Sequence, residues 1–151
     1  MTLNVLNAIS PIDGRYRLKV AELADFFSEQ ALIKYRVLIE IEYFIALCEI
    51  KIDQLLSFDK KLFKKLRLIY ENFSVEDGKA IKKIENITNH DVKAVEYFIR
   101  EEFKKYSNLK KYEYLVHFAL TSEDINSLTY GVLLRDAKDI YIKKLDSLIK
   151  I

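Results

Sequence analysis

The chain has 151 residues, of which 50% are hydrophobic and 32% charged, which excludes a disordered protein and suits one domain with a modest core. Its 25 basic and 23 acidic side chains leave a formal net charge of +2, so overall charge selects no polyanionic partner. One cysteine, Cys48 in "YFIALCEI", excludes an intramolecular disulfide and reads as a buried thiol in a reducing compartment. The amino terminus, "MTLNVLNAIS", has neither a basic nor a long apolar leader region. The most apolar stretch, 37–50, is broken by Glu40, Glu42 and Glu49. The expectation is a soluble cytoplasmic protein with no membrane contact.

In chain order, "SPIDGRY" at 10–16 holds the only proline and one of three glycines. Pro11 keeps Ser10 out of helix, and Asp13-Gly14 is a turn pair because glycine accepts positive φ. The turn presents Arg15 and Tyr16, a guanidinium fork and a hydroxyl suited to a phosphate. A short helix is expected over 18–27 and a long one over 29–50, apolar on more than one face and therefore buried. Residues 59–73 read as an amphipathic helix carrying Leu62, Leu66, Ile69 and Phe73. "SVED" from Ser74 is a capping-box start for a helix near 75–87, and Asp91 opens another to 106. A short helical piece covers 112–118. "TSED" from Thr121 starts a last helix that continues to Ile151. Leu134, Ala137, Tyr141, Leu145 and Leu148 form a near-heptad stripe on it that calls for partner helices. No segment has strand periodicity. The fold class is all-α.

Two helix starts carry polar residues able to do more than cap. In "TNHD" (88–91), backbone N–H groups and the helix dipole attract an anion, and Asn89, His90 and Asp91 add side-chain bonds. In "TSED", Thr121 and Ser122 offer hydroxyl and amide donors to a carboxylate. Capping alone is the plainer reading of both. His117, in "YLVHFAL", reads as a satisfied core histidine. Lys60, Lys61, Lys64, Lys65 and Arg67 make a basic face whose simplest reading is solvation; a nucleic-acid partner has only this face in its favour. One cysteine and two histidines 27 residues apart build no zinc site, and no glycine-rich phosphate loop is present.

Together, "SPIDGRY", "TNHDVKAVEYF" and "HFALTSEDIN", in this order, resemble the adenylosuccinate lyases of the longer bacterial type, within the fumarase/aspartase superfamily. "FSEQALIKYRVLIEIEYF" is similar to that family's first long helix. The resemblance spans the chain but only about the first third of a family member. It implies an N-terminal all-α domain over 1–111 with a substrate-phosphate loop, then the incomplete start of a central helical bundle over 112–151. It implies that Arg15 and Tyr16 bind the nucleotide phosphate, that Asn89, His90 and Asp91 add substrate contacts, and that Thr121 and Ser122 hold the succinyl part. Ile12 and Ser127 depart from the family's usual valine and asparagine without touching those contacts.

The implied activity is elimination of fumarate from adenylosuccinate, giving AMP, and from the succinyl-carboxamide ribotide of purine synthesis. A homotetramer is implied, with active sites shared between subunits and no metal or organic cofactor. The family's acid, a histidine in a Thr-His-Gly segment, and its base, a serine on a Ser-Ser-x-Met-Pro loop, match nothing here. The expectation is therefore no catalytic residue within this chain and no activity from it alone. A non-catalytic helical nucleotide-binding or regulatory module is the alternative.

Overall fold

The computed structural model describes residues 9–150, so the reading of the extreme amino terminus as leaderless, and the last residue of the final helix, lie outside the described residues. Every regular element within them is helical. The α-helices are α1 (Ala24–Phe27), α2 (Glu29–Glu49), α3 (Phe63–Glu71), α4 (Val75–Thr88), α5 (Asp91–Lys104), α6 (Ser107–Lys110) and α7 (Ser122–Ile149). Short 3₁₀ turns at Arg17–Leu23, Asp53–Leu55, Lys60–Leu62 and Glu113–Leu115 join them. No helix among the described residues is long and apolar enough to cross a membrane.

α2 is the central element. Ser28 caps it, its hydroxyl accepting from the Ala31 amide at 3.1 Å. Its buried residues include Ile33, Val37, Ile41, Phe44, Ile45 and Cys48, with Ile39 turned to a second cluster, so it is enclosed on several sides. α1, α3, α4, α5 and α7 all pack on it. Phe44 meets Phe103 of α5 edge-on at 5.1 Å between ring centroids and Phe58 at 5.5 Å; Phe58 in turn leans on Tyr112 at 5.0 Å. This aromatic row fills the end of the core farthest along α2. Burial pushes the Cys48 thiol up to about 11, in keeping with an inert core position.

The structure corrects five details. The stretch 18–27 is not one helix: a 3₁₀ turn runs to Leu23, with Val20 outside helical geometry (φ −117°, ψ 18°), before α1. The helix expected over 59–73 starts as a 3₁₀ turn at Lys60–Leu62, capped by the Asp59 carboxylate accepting from the Lys61 amide, and α3 proper runs from Phe63. At 112–118 only Glu113–Leu115 is 3₁₀, and α6 precedes it. Gly14 has no positive φ; the 10–16 turn is instead helix-like, with Asp13 and Gly14 amides both donating to the Ser10 carbonyl at 3.1 and 2.9 Å. Arg67 also leaves the basic face, since its Nε and Nη2 donate to both oxygens of Glu42 at 2.8 and 2.9 Å and tie α3 to α2.

α7 shows two different faces. Ile125, Thr129, Leu133 and Ala137 are buried against the rest of the chain. The heptad-like stripe is mostly exposed: Leu134, Tyr141 and Leu148 are 57%, 66% and 67% accessible. Phe103 is fully buried between α2 and α5, so Phe103→Ala is expected to lower stability by about 3–5 kcal/mol, through lost transfer energy and a residual cavity. Urea unfolding of the variant checks this; a loss under about 1 kcal/mol would place the ring outside the core.

Candidate functional site

The turn between α4 and α5 is built by two consecutive caps. Asn89 ends α4 in the left-handed conformation (φ 51°), one asparagine tolerates well, and its amide closes on the Glu85 carbonyl at 2.8 Å. His90 then caps α5: its Nδ1 accepts from the Lys93 amide at 3.2 Å. The imidazole is thus the cap itself. A neutral ring that accepts at Nδ1 carries its proton on Nε2. That Nε2 lies 3.4 Å from the Ser122 Oγ, so the N–H points at the first residue of α7. His90 remains half exposed.

Asp91 follows, its carboxylate accepting from the Val92 amide at 2.8 Å and pairing with Nη2 of Arg36 at 2.7 Å. Burial works to raise this carboxyl, but the Val92 amide and the Arg36 guanidinium outweigh it and hold it below the ordinary range. Arg36, on α2, is itself buried, and its Nε donates to Oδ1 of Asn126 on α7 at 3.1 Å. Asn89, His90, Asp91 and Arg36 share a cleft of about 360 Å³ with Glu29, Leu32 and Glu85. Lys82 bridges the two glutamates at 3.2 and 2.7 Å.

Thr121 and Ser122 start α7 through a full capping box. The Thr121 hydroxyl donates to Asp124 at 2.8 Å and takes the Asp124 amide, while the Thr121 amide donates back to the same carboxylate at 2.7 Å. These bonds hold Asp124 below its usual pKa. Thr121 is therefore engaged in the cap, and Ser122 faces His90. The structure brings Asn89, His90, Asp91 and Ser122 together, with Thr121 adjacent. Arg15 and Tyr16 stand apart as an exposed pair, the guanidinium over the tyrosine ring at 4.7 Å. Neither lines the larger cleft beside their turn, which Ser10, Asp13 and Arg17 border. That cleft shares Glu29 with the one at His90.

His117 is not sealed in the core but partly buried, with a specific partner. Its Nδ1 hydrogen-bonds Oε1 of Glu40, a carboxylate 1% exposed on α2. His117 and Ala119 both have left-handed φ (64° and 59°), a strained lead-in to α7 for non-glycine residues. The Glu40 bond raises the His117 pKa, and burial raises that of Glu40. Among the described residues no group of three or more potential ligands is placed to hold a metal.

Comparison with known proteins is decisive here. Residues 14–151 match a sequence-family model described as Lyase. The chain belongs to this lyase family. It is 45% identical over 138 residues to an adenylosuccinate lyase of Legionella pneumophila (strain Corby), covering 91% of this chain and 30% of that protein. Adenylosuccinate lyases of Dictyostelium discoideum and Escherichia coli (strain K12) are 52% and 43% identical over 83% and 92% of this chain, and 28% and 31% of their own lengths. The chain thus spans about a third of the length of the curated relatives it matches.

Arg36 and Glu40 escaped sequence reasoning. The available signal was two opposite charges one turn apart, Arg36 and Glu40, set among residues on the apolar faces of the helix. Two outcomes are expected. His90→Ala should cost about 0.5–1 kcal/mol as a lost N-cap, and His90→Asn should recover it; equal stability of all three proteins in urea would remove His90 from the cap. Both raised pKa values mean that folding binds protons at the Glu40–His117 pair. Its contribution should fall as pH rises, the glutamate part above about pH 4.3 and the histidine part from about pH 6.5 through the raised His117 value. The Glu40→Gln/His117→Gln double variant should flatten that slope in thermal melts; an unchanged slope would assign it elsewhere.

Proposed function

We propose that this chain is the N-terminal part of an adenylosuccinate lyase that eliminates fumarate from adenylosuccinate, and from the succinyl-carboxamide ribotide, by breaking a C–N bond. The observation that carries the reading is the meeting of two helix N-termini at His90 and Ser122, in a chain whose relatives bear that name. Two such ends, with an imidazole N–H and a hydroxyl between them, form a donor-rich place for a carboxylate.

In the elimination a base removes a proton from the carbon next to a succinyl carboxylate. The electron pair left on carbon forms the double bond of fumarate as the C–N bond breaks, and an acid protonates the departing nitrogen. Charge builds on the carboxylate beside the deprotonated carbon. Ser122 and the His90 Nε2–H are placed to donate to it, and Thr121 joins if substrate displaces its Asp124 bond. Asn89 and Asp91 supply polar contacts along the same edge. Arg15 and Tyr16 take the nucleotide phosphate, their exposure leaving the guanidinium fork free. Neither histidine matches the family's acid: His90 caps α5 and His117 is held by Glu40. The acid and base therefore come from beyond these residues. We place the division at 111/112, with α7 as the first helix of a bundle that assembles four copies through the exposed Leu134, Tyr141, Leu145 and Leu148 stripe.

In the full-length enzyme, Arg15→Ala should weaken substrate binding about 10- to 100-fold, the worth of a charge-assisted hydrogen bond, and Arg15→Lys should restore only part. Unchanged affinity in both would remove Arg15 from the site. The 151-residue chain alone should give no adenylosuccinate cleavage by ultraviolet absorbance. Mixed with a full-length variant disabled at Thr121 and Ser122, it should restore turnover by sharing sites between subunits. A chain that binds nucleotide yet never complements would be the regulatory module instead.

A further inference from the structure

α2 carries two buried charges one turn apart, Arg36 and Glu40, and they serve different ends of the same place. Glu40 holds His117 in the strained lead-in to α7. Arg36 reaches both site-bearing helices at once. Its Nη2 pairs with Asp91, the residue after His90, and its Nε donates to Asn126, one turn beyond Ser122.

The contrast with Arg67 is informative. Arg67 spends the Nε–Nη2 edge on two oxygens of one carboxylate. Arg36 splits the same rigid edge between two helices. A planar guanidinium fixes the angle and separation of its two partners, which a flexible ammonium does not. The side chain of Arg36 is only 5% exposed, whereas that of Asp91 is 46% exposed. Burying a guanidinium costs desolvation, and a well-packed apolar residue at such a position is often at least as stabilising. The return on that cost is geometric. The N-termini of α5 and α7 both carry partial positive charge and would repel at close range. Asp91 and Asp124 soften that repulsion at each start, and the Arg36 bridge sets the distance between them.

We infer that Arg36 is a positioning residue of the site, a clamp that holds the starts of α5 and α7 at the separation at which His90 and Ser122 face one another. Calling that place a substrate site rests on the lyase reading; the clamp itself does not. Arg36 touches no reacting atom in this role. It acts through Asp91 and Asn126.

At 17.8 kDa and with only two histidines, the chain suits nuclear magnetic resonance. The probe is the cross-peak between the His90 ring and the Ser122 β-protons, with that between the Phe44 and Phe103 rings as the reference for an intact core. The unaltered chain should give both. Arg36→Met, similar in length but without the fork, should lose the His90–Ser122 peak and keep the aromatic one. Arg36→Lys should not restore it. Asn126→Ala, which leaves the Asp91 pair in place and cuts only the bond to α7, should also lose it. A merely stabilising ion pair would lower the melting temperature and leave the peak at full intensity in the folded variants, and that result would overturn the clamp. So would its absence from the unaltered chain, or loss of the aromatic peak in all three variants. Lack of lyase activity in the full-length enzyme would count against the proposed reaction and leave these cross-peaks as expected.

Discussion

The buried charges of α2 are the constraint on which the arrangement depends. A helix enclosed by five others should be uniformly apolar on packing grounds, and most of its length is. Arg36 and Glu40 break that pattern one turn apart, and a buried charge persists only when its partners are in place. Each therefore dictates where another segment must lie. Arg36 sets the starts of α5 and α7, and Glu40 sets the loop that delivers α7. Shifting either segment by a few ångströms would leave a charge in the interior without a counter-charge or hydrogen bond.

Around that axis the two ends of the molecule have different work. The aromatic row of Phe44, Phe58, Phe103 and Tyr112 secures one end chiefly by ring packing, with the Tyr112 hydroxyl also 3.3 Å from that of Ser57. The opposite end is polar and built from caps: Asn89 closes α4, His90 opens α5, and Thr121 opens α7. Caps expose donors at a helix start without unfolding anything, which makes this end a suitable place for an anionic substrate group. The same economy of residues explains why capping and binding readings of "TNHD" and "TSED" are compatible. His90 accepts at Nδ1 to cap and has Nε2 left over.

α7 joins the site to whatever lies around it. Its inner face is committed to α2, while a second apolar stripe faces outward. The shared use of one helix for a site residue near its start and an unpartnered stripe farther on links substrate binding to assembly in the proposed enzyme.

Helix periodicity, the capping boxes at Ser74 and Thr121, and scarce glycine and proline were enough to read an all-α chain and to place α2, α4, α5 and α7 within a few residues. Those features are local: they depend on residues three or four positions apart, and the sequence displays them directly. Helix ends were less legible, as at 18–27, because 3₁₀ and α-helical turns use nearly the same residues and long-range contacts choose between them. The candidate residues 90–91 and 121–122 were legible as helix starts, with Asn89 just before the first and ending α4, and Arg15 and Tyr16 as a pair presented by a turn. That His90 and Ser122 meet, 32 positions apart, was not. Nor was it visible that Arg67 pairs with Glu42, that Gly14 needs no positive φ, or that Arg36 spans two helices. Those facts depend on how helices cross, and crossing geometry is decided by the summed packing of the whole core rather than by any stretch of sequence.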